Sequence, residues 1–178
     1  MERWRERACA CHFFTKVYCS KMADWIPEIL YRNIVKSMPI CTVDVALFDR
    51  DAKQVLVFRR SHPPLQGCWF TLGGRLSKNE SLLDCAVRQA KAEAGLTLIA
   101  ERLIFGGAFE EVHEDSRFGP GITYHSVNIC WGYLLTKEPE IRLDGQHDEY
   151  AWKPVDCVEF HRLLSHKLTA LQRVMRTG

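Results

Sequence analysis

The chain has 178 residues, enough for one domain with a sizeable core. Apolar residues make up 47%, charged residues 26%, and the formal net charge is +2, which excludes a broad basic surface for nucleic acid. No apolar run approaches the roughly 20 residues of a membrane helix, so a soluble globular protein with no membrane partner is expected.

Eight cysteines are scattered along the chain, several inside apolar strand or helix patterns where a reduced thiol acts as a small hydrophobe. They form no dense disulfide framework, and a reducing, cytoplasmic setting is expected. Residues 1–21 carry five Lys or Arg and two Glu, and differ in character from residues 22–178. Cys9, Cys11, His12 and Cys19 do not match a usual zinc-ligand spacing. This segment reads as a disordered or upstream extension before a single domain over residues 22–178.

From Asp24 the sequence reads as a short helix, capped by Asp24, with Pro27 in its first turn and Pro39 after its end. Ile26, Leu30, Ile34 and Val35 line one face, available to the core or to a partner subunit. Residues 40–49 read as a strand, 49–53 as a turn, and QVLVFRR as its hairpin partner. SHPPLQG is a loop, and CWFTLGGR a short strand ending in a glycine turn. A helix comes next, with Ser77 and Glu80 in capping-box spacing. Leu82, Leu83, Ala86, Val87, Ala90 and Ala94 form its apolar stripe, and Gly95 is its C-terminal stop. Then come a strand over 103–110, a polar loop over 111–121, and a long strand over 122–135. IRLDGQHDEYAWKP holds a polar loop and a short strand, and the tail holds one or two helices. The order of elements predicts an α+β layered domain.

Gly74, Glu80, Arg88, Glu93 and Gly95 stand at the spacing of the Nudix box, which runs from a glycine turn into an acidic helix. Gln89 and Ala92 occupy two positions where that box normally carries glutamate. These departures, together with QGCWFTLGGRL, DGQHDEYAW and the TVDVALF strand, resemble the GDP-mannose mannosyl hydrolase branch of the Nudix family. The resemblance runs from about Asp24 to about Trp152. It implies a Nudix fold, a mixed β-sheet layered between α-helices, and a homodimer with the first helix near the interface.

The resemblance also implies chemistry: hydrolysis of a GDP-sugar by water attack at the anomeric carbon, with inversion, using one Mg2+ per subunit. Its metal ligands would be Glu93, the Gly74 carbonyl and the Gln146 side-chain oxygen, hard oxygen donors that suit magnesium. His147 would be the general base, with Asp148 or Glu149 as candidates to orient its ring. Arg60 and Arg75 would bind phosphate and stabilise the leaving group, since the guanidinium fork suits phosphate oxygens. Arg88 is expected in an ion pair with Glu80 and as an aid to the leaving group. Asp44, an acid within an apolar strand, is expected near the sugar or as partner of an active-site arginine.

Two positions depart from the branch. It has a histidine after the fifth strand and a tyrosine following the strand residue matching His125; here Glu111 and Ser126 stand there. Tyr124 and His113 are candidates to take their places at the substrate. Two other readings stay open: a conventional Nudix pyrophosphohydrolase cutting between phosphates, and a Nudix-fold binding protein without turnover.

Overall fold

The computed structural model describes residues 26–119 and 121–177. Residues 1–21 and the expected Asp24 cap lie outside the described residues.

Strand β1 (Ile40–Phe48) is the spine of the sheet, and eight of its nine residues are buried. A strand buried on both faces reads as a near-continuous apolar run, as ICTVDVALF does. β1 runs parallel to β6 (Tyr124–Leu134) and antiparallel to β4 (Leu72–Arg75) and, at its far end, to β2 (Gln54–Arg60). β6 carries β5 (Ile104–His113) on its outer edge, and β2 carries both β3 (Trp69–Phe70) and β7 (His147–Pro154).

Alternation along β1 sends its side chains to two cores. Val43, Val45 and Leu47 pack with Cys85, Ala86, Ala90 and Ala94 of helix α2 (Leu82–Ala94). Ala46 and Phe48 pack with Leu164, Leu168 and Leu171 of helix α3 (Arg162–Thr177). A mixed sheet between helices is thus the observed architecture, as expected. No helix among the described residues is long and apolar enough to cross a membrane.

Local differences from the sequence reading have physical causes. CWFTLGGR is two strands, because Trp69–Phe70 pairs with β2 whereas Leu72–Arg75 turns to pair with β1. β5 continues through Glu111, Val112 and His113, read as loop, since these residues keep cross-strand partners on β6. The α2 cap is Ser81, whose Oγ accepts from the Asp84 amide. Ser77 and Glu80 instead close the turn before it, with the Ser77 amide donating to Glu80 Oε2. Helix α1 (Glu28–Ser37) has Pro27 at its cap position rather than in its first turn. Its docked face is Tyr31, Ile34 and Val35, packed with Ile40, Phe118, Ile122 and Tyr124. Leu30, expected on that face, is exposed, because the helix is turned to place the Tyr31 ring against Phe118 and Arg75.

Candidate active site

Helix α2 delivers Glu93 to the end of the sheet. Gly95 ends the helix in the left-handed conformation, φ 73°, where a glycine is favoured. Glu93 is 3% exposed, and its Oε2 accepts a hydrogen bond of 3.0 Å from the Gly73 amide. Burial pushes its carboxyl up to about 8; the Gly73 hydrogen bond opposes that, and the charges of Asp144 and Asp44 add to it. A cation beside this buried carboxyl would favour its ionised form.

The loop before β7 is fastened to the same helix end. Arg142 and Asp144 donate their amides to the carbonyls of Ala94 and Glu93, at 3.0 and 3.1 Å. Asp144 then organises the next turn: its Oδ1 accepts from the Gln146 amide at 3.0 Å and its Oδ2 from Gln146 Nε2 at 3.1 Å. His147 Nδ1 lies 3.1 Å from Asp144 Oδ1. A carboxylate only accepts, so this contact fixes the Nδ1–H tautomer and leaves the Nε2 lone pair for a proton. The ring is buried, edge-on to Phe58 at 5.6 Å. Burial lowers the His147 pKa; the Asp144 bond opposes this, and the Arg60 charge lowers it further.

The three arginines take different places. Arg60 ends β2 opposite His147, its Nε bonded to the Pro64 carbonyl at 2.8 Å, and its charge is felt by both Glu93 and His147. Arg75 ends β4 and lies over the Tyr31 ring of α1, 4.7 Å from its centroid. Tyr124 is hydrogen-bonded to the same Tyr31, and burial raises its phenol well above the usual range. Arg88 grips Glu80 with two bonds, 2.6 and 2.8 Å, and donates to the Arg75 carbonyl at 3.1 Å. Two of its three guanidinium nitrogens thus brace the glycine turn, which gives Arg88 the expected ion-pair role and leaves little of it for substrate.

Asp44 is buried on the α3 side of the sheet. Its partner is a lysine, not an arginine: Lys167 Nζ donates to Oδ2 at 2.6 Å, and Thr71 Oγ1 reaches the same oxygen at 3.4 Å. Lys167 is also ion-paired with Glu111. Glu111 and Ser126, the two departures from the branch, are cross-strand neighbours, with Ser126 Oγ donating to Glu111 Oε2 at 3.4 Å. His113 Nε2 lies 3.8 Å from Glu111, and His113 pairs with Tyr124 across the strands. The two departures therefore belong to one buried polar network that Lys167 completes.

The expected metal donors lie along the glycine turn, the end of α2 and the loop before β7. The Gly73 amide donates to Glu93, and Gly74 beside it packs against Gln89, whose Nε2 lies 2.1 Å from where a Gly74 Cβ would stand. Gln146 stays exposed and turned to Asp144. Asp148 and Glu149 do not orient His147, since Arg59 holds both, at 2.9 and 3.1 Å. Among the described residues no three His, Cys, Asp or Glu form a metal-holding group. Carboxylate, amide and carbonyl oxygens around Glu93 and Asp144 are nevertheless the hard donors a divalent ion takes. Sequence reasoning missed Asp144, although it stands i, i+3 to His147 in the DGQH segment. It also missed Lys167, whose signal is a charge on the Leu164, Leu168, Leu171 stripe. A cavity of about 710 Å3 lies elsewhere, lined by Lys91, Leu98, Tyr133 and Arg142.

The chain resembles known proteins in sequence and in fold. The low-salt glycan biosynthesis protein Agl8 of Haloferax volcanii is 29% identical over 124 residues, 70% of this chain and 76% of that protein. The dihydroneopterin triphosphate diphosphatase of Escherichia coli is 25% identical over 114 residues, 61% of this chain and 73% of that one. Among solved structures, the MutT NUDIX hydrolase of Burkholderia pseudomallei superposes with a TM-score of 0.62 at 20% identity, covering 76% of this chain and 99% of that one. The NUDIX domain model matches residues 38–174, which span β1 to α3, and the chain therefore belongs to the Nudix family.

Proposed function

We propose that this Nudix hydrolase cleaves GDP-mannose, or a related GDP-hexose, to GDP and the free sugar, by water attack at the anomeric carbon with inversion. The observation that carries the reading is the loop in which Asp144 is fastened to the Glu93 backbone and holds His147 by its ring. In this reading His147 Nε2 takes the proton of the attacking water, and Asp144 holds the ring and stabilises the imidazolium that forms. Arg60 and Arg75 bind the diphosphate, and Arg88 keeps the glycine turn in place beneath it. Nudix enzymes generally use divalent metals. A Mg2+ ion on Glu93, with the glycine-turn carbonyls, Gln146 and Asp144 as neighbouring donors, would neutralise the leaving diphosphate.

Loss of the box glutamates at Gln89 and Ala92 supports attack at carbon. Gln89 is buried against Gly74 and Ala92 is exposed, so neither supplies a carboxylate for activating water at phosphorus. The glycan-biosynthesis name of the Haloferax relative supports a sugar substrate. The name of the Escherichia coli diphosphatase supports the competing cut between phosphates. We place the protein in the cytoplasm as a homodimer, for which the outward Ile29 and Leu30 of α1 are the support. Sedimentation of a single 20.6 kDa species at micromolar concentration would remove the dimer. The substrate reading is tested by separating the products of GDP-mannose with Mg2+: GDP and mannose support it, whereas GMP and mannose 1-phosphate support the conventional cut.

A further inference from the structure

Lys167 stands on the apolar stripe of α3 with 1% of its surface exposed, above the Phe70 ring at 4.8 Å. Burying an ammonium costs several kcal/mol unless it is well paired, and a leucine would have served the stripe. Its pairing leads toward the active site. Lys167 Nζ holds Asp44 Oδ2 at 2.6 Å, and Asp44 faces Gly73 across β1 and β4. Asp44 Oδ1 fills the place of a Gly73 side chain: a Cβ there would come within 2.1 Å of it. The Gly73 amide in turn donates to Glu93 Oε2 at 3.0 Å. These contacts form a continuous path from α3 through β1 and β4 to α2.

We propose that Lys167 is a positioning residue: by anchoring Asp44 against the Gly73 turn it fixes the Glu93 cation site from the opposite face of the sheet. The proposal rests on the reading that Glu93 holds a divalent cation. Glu111, the second partner of Lys167, lies on β5 and has Ser126 and His113 beside it. It steadies the ammonium but has no contact with the Gly73 turn. Removing Lys167 leaves Asp44 and Glu111 without the ammonium that binds both.

The test uses Mn2+ alone as probe, with binding read by electron paramagnetic resonance on the full chain. K167M and D44N are each expected to weaken Mn2+ by about tenfold, the usual size for an outer-shell partner. The double variant is expected to be no weaker than D44N, since Lys167 acts through Asp44. Additive losses would overturn the proposal. A second readout needs no cation: the Gly73 amide resonance is expected to move in K167M and D44N but not in E111Q. Should K167M fail to fold, the near-isosteric D44N decides, and an unmoved Gly73 amide in folded D44N overturns the proposal. If the wild-type chain binds no Mn2+, the cation reading fails, and the Gly73 amide alone settles whether Lys167 positions the turn.

Discussion

Asp144 Oδ1 lies 3.1 Å from His147 Nδ1, and the same aspartate donates its amide to the Glu93 carbonyl. One residue thereby sets the tautomer of the proposed base and its place beside the proposed metal ligand. His147→Gln is expected to lower turnover by roughly two to four orders of magnitude with GDP binding retained, the size of a lost general base. Single-turnover kinetics and calorimetry check it; wild-type turnover in the variant would remove His147 from the mechanism.

The pH profile depends on the same pair. Burial holds His147 below its usual 6.5, so the unprotonated base persists into mildly acidic solution. The acid limb of kcat/KM is expected below pH 6.5. Asp144→Asn removes the bond that opposes burial, and the limb is expected to move lower still while the maximal rate falls. For stability the sign is that of a depressed pKa: the unfolded chain takes up the proton first as pH falls. The contribution of neutral His147 is therefore present above about 6.5 and lost as pH falls through the folded value. A wild-type acid limb above 6.5 would contradict the burial argument.

Glu93 gives the opposite sign. Its carboxyl is raised to about 8 without a cation, so folding holds its proton from the unfolded value of 4.5 upward. That contribution is complete below 4.5 and lost as pH rises through about 8. Glu93→Gln is expected to abolish Mg2+ dependence yet raise the cation-free Tm above pH 8, where the wild type must bury a charge. Thermal unfolding with chelator checks it. An unchanged magnesium titration, or a variant less stable at high pH, would sink the ligand assignment.

Arg88→Gln is expected to cost about 1 kcal/mol of stability, the scale of a partly exposed ion pair. Burial pushes Glu80 up, but the Arg88 hydrogen bond and the Ser77 amide bring its carboxyl net lower. The variant should therefore lose stability mainly above the unfolded Glu80 value of 4.5. Chemical denaturation at about pH 4 and about pH 7, either side of that value, reads this. A raised KM with full stability would place Arg88 on substrate instead.

Much of this was legible in the sequence, where the chemistry is local. The strand β1, the hairpin partner QVLVFRR and the Gly95 stop follow from patterning and backbone preference. What the sequence hid depends on contacts between distant segments. Asp148 and Glu149 look like orienters for His147 until Arg59, 89 residues away from Asp148, is seen to hold them. Asp44 announces a buried partner but not which one, because Lys167 lies 123 residues on. Gly73 and Gly74 are equivalent as letters; only strand alternation decides which backs onto Asp44 and which onto Gln89. Leu30 fits a helical stripe, but the rotation of α1 is set by Tyr31, through Phe118 and Arg75.

The central claim is tested most directly by hydrolysing GDP-mannose with Mg2+ in oxygen-18 water and weighing the products. Attack at carbon predicts label in free mannose and unlabelled GDP. Label in GMP or mannose 1-phosphate would mean attack at phosphorus and would contradict the account.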